Sequence, residues 1–238
     1  ERAASNAAFM KGVNYILADQ PDRAIEELTK AVEVDTETVE TYVALGNLYR
    51  SKGETDRAIR IRQSIMFRPN LDNRIRLQAQ YDLGLDYRRG GFFERAVTTF
   101  EGLLKQDPKR VDALTELARI HEETKDWEKA SEALTRLARI TGRKVNNILA
   151  HHQVEAGQAF FDKGLLVQAQ AAYRKALTLD AGCLDAHLHL GDLQLAQGKV
   201  KKAVVAWRKA FEADPDRAYL VFARLVKAAA DLKDAKPL

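Results

Sequence analysis

A chain of 238 residues, 46% apolar and 30% charged, has the make-up of a folded protein rather than a disordered or fibrous one. Its net charge is a modest +4, and its single cysteine, Cys183, excludes an internal disulfide and a cysteine-based zinc site within this sequence. No apolar run approaches the roughly 18 residues of a membrane-spanning helix. No secretory leader is visible, and the opening Glu1-Arg2-Ala3 reads as a cut inside a longer protein.

Along the chain, Gly12, Gly46, Gly84, Ala118, Gly157 and Gly191 each sit midway through an apolar helical pattern, at intervals of 34, 38, 34, 39 and 34 residues. A small residue at this pivot lets two helices approach closely, and the period is that of a helix–turn–helix solenoid. Six units follow: 5–38, 39–72, 77–110, 111–144, 150–183 and 184–217. Three residues after the pivot stand Tyr15, Tyr49, Tyr87, His121, Phe160 and, as the exception, Gln194. Twelve after it stand Ala24, Ala58, Ala96, Ala130, Ala169 and Ala203, and four further on Leu28, Arg62, Phe100, Leu134, Tyr173 and Trp207. This spacing puts small residues where two antiparallel helices cross and large ones beside the crossing. Breakers agree: Gln20-Pro21, Lys52-Gly53, Gly90-Gly91, Lys163-Gly164 and Gln197-Gly198 fall within units, and Pro69, Pro108 and Pro215 between them.

The two long intervals hold Asn73-Arg74-Ile75-Arg76 and Val145-Asn146-Asn147-Ile148-Leu149. Four or five residues make little more than one helical turn, so the first helices of the third and fifth units are predicted to be a turn longer. A terminal helix over 218–233 caps the array or begins a seventh unit. Tyr219, Val221, Phe222 and Leu225 give it an apolar stripe, which packs on further sequence or supports a homodimer. The expected fold is all-α: one right-handed superhelix of six repeats plus a capping helix, spanning residues 1–238. This pattern resembles the tetratricopeptide-repeat (TPR) superfamily.

The stretch Val39-Glu40-Thr41-Tyr42-Val43-Ala44-Leu45-Gly46-Asn47-Leu48-Tyr49, with Gly12-Val13-Asn14-Tyr15 upstream and Asp82-Leu83-Gly84-Leu85-Asp86-Tyr87 downstream, is more specific. It resembles the TPR region of the lipopolysaccharide assembly protein B family, sharply over residues 8–104 and generically afterwards. The resemblance implies an adaptor on the cytoplasmic side of the bacterial inner membrane. Such an adaptor presents a lipid A biosynthetic enzyme to a membrane protease, with an N-terminal membrane anchor and a C-terminal rubredoxin-like zinc ribbon. Zinc is expected only if the parent protein carries that ribbon, and no cofactor is expected in this stretch. Two other readings stay open: a scaffold for pilus or secretion assembly, and the repeat region of a larger enzyme such as a glycosyltransferase.

The tetratricopeptide-repeat resemblance implies that Asn47, Arg50, Tyr81, Arg88, Arg89 and Arg119 face the concave side, as a partner-binding groove. Guanidinium forks and an aromatic ring there suit an extended acidic peptide. Val43 stands where a carboxylate-clamping lysine would be. Residues 39–76 carry eight basic against four acidic side chains, and Arg57, Arg60, Arg74 and Arg76 form a candidate basic patch for a partner or anionic lipid, with Arg62 turned away. Basic residues without aromatic interleaving do not point to nucleic acid. The five histidines lack ligand spacing, no metal site is expected, and no phosphate loop, nucleophile elbow or paired-carboxylate motif appears. A non-catalytic binding protein is therefore expected.

Overall fold

The computed structural model describes residues 2–34, 39–69, 71–217 and 219–234. The predicted junction at Thr38 and the predicted start of the terminal helix at Ala218 lie outside them. Every regular element among the described residues is helical: α1 (Arg2–Leu17), α2 (Pro21–Val34), α3 (Val39–Ser51), α4 (Thr55–Met66), α5 (Asn73–Arg89), α6 (Phe93–Gln106), α7 (Val111–Glu123), α8 (Trp127–Thr141), α9 (Asn146–Asp162), α10 (Leu166–Leu179), α11 (Leu184–Ala196), α12 (Val200–Ala213) and α13 (Tyr219–Asp234), with a single 3-10 turn at Pro215–Arg217. The chain divides into two compact units, Glu1–Ile120 and His121–Leu238, whose boundary falls inside α7.

Within the first unit α1 packs on α2, α3 on α4 and α5 on α6; within the second, α9 packs on α10 and α11 on α12. The pivot explains the pairing. A Cβ added at Gly84 would stand 2.7 Å from the Phe100 ring, and one at Gly46 2.8 Å from Arg62 Cζ. Real Cβ atoms do not come that close, so at these two positions only glycine lets the second helix drop its large side chain across the first. Alanines twelve residues after the pivot, from Ala24 to Ala203, are fully buried.

The turns share a second signature. Seven residues after each pivot the backbone is left-handed: Asp19 (φ 53°), Gly53 (78°), Gly91 (75°), Lys125 (58°), Gly164 (72°) and Gly198 (73°). A helix that must reverse within three residues needs this conformation, and glycine adopts it without steric cost. Helix starts follow their chemistry too. Pro21 opens α2 with Asp22 in its first turn, and Asp72 caps α5 by accepting from the Arg74 and Ile75 amides at 2.8 and 3.4 Å.

The extra residues are absorbed as predicted. Both α5 and α9 run 17 residues, against 13 in α3, α7 and α11. The terminal helix packs on the array as a cap would, but its apolar stripe departs from expectation. Val221 is buried, and Leu220 and Leu225 pack on the α11–α12 core, so among the described side chains of α13 the large exposed apolar ones are Tyr219, Phe222 and Val226.

Candidate functional site

The extra turn of α5 does more than lengthen a helix. Asn73, Arg74 and Ile75 form one wall of a cleft of about 890 Å³, α3 supplies the facing wall with Val39, Val43 and Asn47, and Gln78 and Asp82 stand deeper along α5. Aliphatic Val39, Val43, Ile75 and Leu77 share the lining with charged Glu40, Arg74 and Arg110, and Asn47, Gln78 and Asp82 make a polar end.

Beneath that polar end lies a buried ionic network. Arg62, fully buried, sits where other hairpins carry Leu28, Phe100, Tyr173 or Trp207. Its guanidinium donates to the Val43 carbonyl at 3.3 Å and to Asn47 Oδ1. It also lies 3.6 Å from Asp86 and 3.9 Å from Asp82. Arg50 completes the set. It donates to Asp86 Oδ1, to Asp82 Oδ1 at 3.1 Å and to the Asp82 carbonyl at 3.0 Å. Two cations face two carboxylates, which is the condition under which buried charge is tolerable. Arg62 Nε and Asp86 Oδ2 have no hydrogen-bond partner; they face each other just beyond bonding distance. Burial pushes Arg62 down and the Asp86 carboxyl up from their ordinary pKa values, although the two guanidiniums oppose the second shift. Against its own burial, Arg50 is held above its ordinary value by its bonds to Asp86 and Asp82.

The residues expected on the concave face divide accordingly. Asn47 lines the cleft. Arg50 is engaged with Asp82 and Asp86. Arg88 donates to Glu116 at 2.6 Å and Arg119 to the same carboxylate at 2.8 Å. Tyr81 is half-buried, its ring 5.7 Å from that of Phe100 and 5.2 Å from the Arg110 guanidinium. Arg89 is exposed at the end of α5. Three of the arginines thus already hold carboxylates of the protein itself.

The four basic-patch residues do not come together. Arg57 and Arg60 line a separate cleft of about 560 Å³ beside Phe92 and Gly90, and Arg57 pairs with Glu54 at 2.8 Å. Arg74 lines the first cleft. Arg76 donates to the carbonyls of Met66 and Arg68 at 3.1 and 3.5 Å, satisfying the open C-terminal end of α4.

Two signals for the network were present in the sequence. An arginine four residues after the pivot meets a carboxylate two residues before the next one, in Arg50–Asp82 and again in Arg88–Glu116. Except after Ala118, where Arg119 precedes apolar Leu134, the residue just after the pivot also matches the one fifteen further on. Asn47 accepts from Arg62, Gln158 from the Tyr173 hydroxyl at 3.3 Å, and Asp192 from Trp207 Nε1 at 3.2 Å. Apolar Val13 and Leu85 accompany Leu28 and Phe100.

In the second unit, His152 is buried in α9 between Ser131 and Glu122, each at 3.1 Å, with the Trp127 ring 5.5 Å away. Burial pushes His152 down against the pull of Glu122, and His189 is pushed down by burial as well. Among the described residues, no group of three or more His, Cys, Asp or Glu could hold a metal ion, and no helix is long and apolar enough to cross a membrane.

Comparison with known proteins gives a consistent picture. Models of the tetratricopeptide repeat match residues 81–143 and 154–218 and, separately, 41–74. The chain is 32% identical to lipopolysaccharide assembly protein B of Escherichia coli K12 over 206 residues, covering 87% of this chain and 53% of that protein. Identity to the protein of the same name in Haemophilus influenzae is 32% over 216 residues, 87% of this chain and 54% of that one. The chain thus spans about half the length of these relatives. A crystallised tetratricopeptide repeat protein from Parabacteroides merdae shares the fold at a TM-score of 0.53 and 15% identity, over 92% of this chain and 99% of that one.

Proposed function

From the premise that this chain belongs to the tetratricopeptide-repeat family, we propose that it is a non-catalytic adaptor whose docking site is the cleft between α3 and α5. The observation that carries this reading is the cleft itself. Ile75, on an extra helical turn that a plain repeat would not have, extends the aliphatic surface offered by Val39, Val43, Ala44 and Leu77. Similarity to lipopolysaccharide assembly protein B supports the finer reading. The adaptor works at the cytoplasmic side of the inner membrane and presents a lipid A biosynthetic enzyme to a membrane protease. Holding both proteins on one scaffold makes their encounter intramolecular, which raises its frequency without chemistry by the adaptor.

The test uses the immobilised chain and the purified deacetylase that commits precursor to lipid A. Wild type is expected to retain the enzyme, and Val43→Glu combined with Ile75→Glu to weaken retention at least tenfold with helical circular dichroism unchanged. Equal retention by the variant overturns the cleft as the site; no retention by wild type overturns the partner.

A further inference from the structure

The buried charges beneath the cleft dictate which way its polar side chains point. A guanidinium has donors only. Because Arg62 donates to Asn47 Oδ1, the Asn47 carboxamide turns its oxygen inward and leaves its NH2 for the cleft that Asn47 lines. Along α5 the sense reverses. A carboxylate only accepts, and Gln78 Nε2 donates to Asp82 Oδ2 at 3.3 Å. Gln78 Oε1 is therefore the group left for the cleft. Neither amide can flip without setting donor against donor or acceptor against acceptor. Arg50 keeps Asp82 in place through its carboxylate and its carbonyl, so both orientations depend on one ionic cluster.

We infer that Arg62 and Asp82 are positioning residues that fix the hydrogen-bond polarity of the cleft, a donor at Asn47 and an acceptor at Gln78, for the main chain of an extended peptide segment with aliphatic side chains. This rests on the docking reading above and names the class of segment. A peptide group offers one carbonyl and one N–H, the complement of that pair. The adjoining Val39, Val43 and Ile75 offer apolar surface to its side chains.

A phage-displayed library of random dodecapeptides selected on the immobilised chain tests this directly. The selected sequences are expected to be rich in Val, Ile, Leu and Ala; a consensus without aliphatic residues overturns the inference while leaving docking intact. Failure to select any peptide, or selection unaffected by Val43→Glu, overturns the docking reading itself. For a selected peptide, Asn47→Ala and Gln78→Met are each expected to raise Kd about fivefold, the loss of one net hydrogen bond. Arg62→Met is expected to match Asn47→Ala, and the double variant to bind no worse than Arg62→Met alone. Additive losses overturn the positioning role. Should Arg62→Met fail to fold, Asn47→Asp decides the matter, since it offers the cleft only acceptors. It is expected to weaken binding at least tenfold, and unchanged affinity overturns the proposal.

Discussion

The hairpins α3–α4 and α11–α12 share one plan, with first helices of 13 residues, a pivot glycine and a fully buried side chain lying across it. One carries Arg62 in that place and the other Trp207. Trp207 is satisfied locally: its Nε1 donates to the Leu188 carbonyl and to Asp192, both at 3.2 Å and both in α11. Arg62 cannot be satisfied locally, because its counter-charges, Asp82 and Asp86, belong to α5 in the next hairpin. An apolar side chain closes its own hairpin, whereas a charged one ties its hairpin to the neighbour. In α11–α12 that tie is made separately by Arg224 of α13, which grips Asp192 at 2.7 and 2.9 Å.

The largest effects should separate these two modes. Asp86→Ala leaves two arginines short of a buried partner and is expected to cost about 3–5 kcal/mol. Trp207→Ala leaves a cavity and is expected to cost about the same. The second substitution tells them apart. Arg62→Leu with Asp86→Leu removes a charge pair together and should recover much of the loss, since well-packed apolar replacements of buried ion pairs are often neutral or better. Trp207→Ala with Asp192→Ala should recover nothing. Urea unfolding of the singles and doubles measures both cycles. Equal coupling in the two hairpins would remove the distinction between a hairpin that closes itself and one that needs its neighbour.

An acid titration extends the comparison to the two units. All five histidines lie in 121–238 and none in 1–120. Burial depresses both His152 and His189, so between their folded values and the ordinary 6.5 the unfolded chain binds more protons than the folded one. Stability of the second unit is therefore expected to be complete above about pH 6.5 and to decline as pH falls below it. Hydrogen exchange at pH 7 and pH 5 should show protection falling first in α8, α9 and α11. Replacing His152 with Gln should flatten that response, and an unchanged profile would detach the effect from His152.

The period, the pivots, the alanines and the extra turns of α5 and α9 were legible because each follows from a local rule of helix geometry applied six times over. The network is not legible in this way, because in the repeat Arg62 is simply the one charged residue in a series with Leu28, Phe100, Leu134, Tyr173 and Trp207. Its meaning depends on residues twenty and twenty-four positions ahead, and the pairing of Asn47 with Arg62 becomes a rule only beside Gln158–Tyr173 and Asp192–Trp207. The concave-face arginines illustrate the same limit. Repeat position tells which face Arg50 and Arg88 occupy, but not that Asp82 and Glu116 arrive from the next first helix to hold them. On α13, the stripe depends on which side meets α11 and α12, and packing took Val221 inward while leaving Tyr219 and Val226 outside.

The smallest expected effect concerns the turns, where one position has two kinds of occupant. Gly91 and Lys125 hold the same left-handed conformation, at φ 75° and 58°. An L-residue there carries a steric cost of about 1–2 kcal/mol that glycine does not. Gly91→Ala introduces that cost and, with nothing within 4 Å of an added Cβ, has no packing change to confuse it, so a loss of about 1 kcal/mol is expected. The reverse change is weaker than its mirror image. Lys125→Gly relieves the backbone but also frees the unfolded chain, which takes back about 0.4–1 kcal/mol. The net gain is expected to be about 0.5 kcal/mol, seen as a small rise in Tm. A loss of stability in Lys125→Gly would mean that the lysine side chain holds the α7–α8 turn in place, and that the turns are not interchangeable after all.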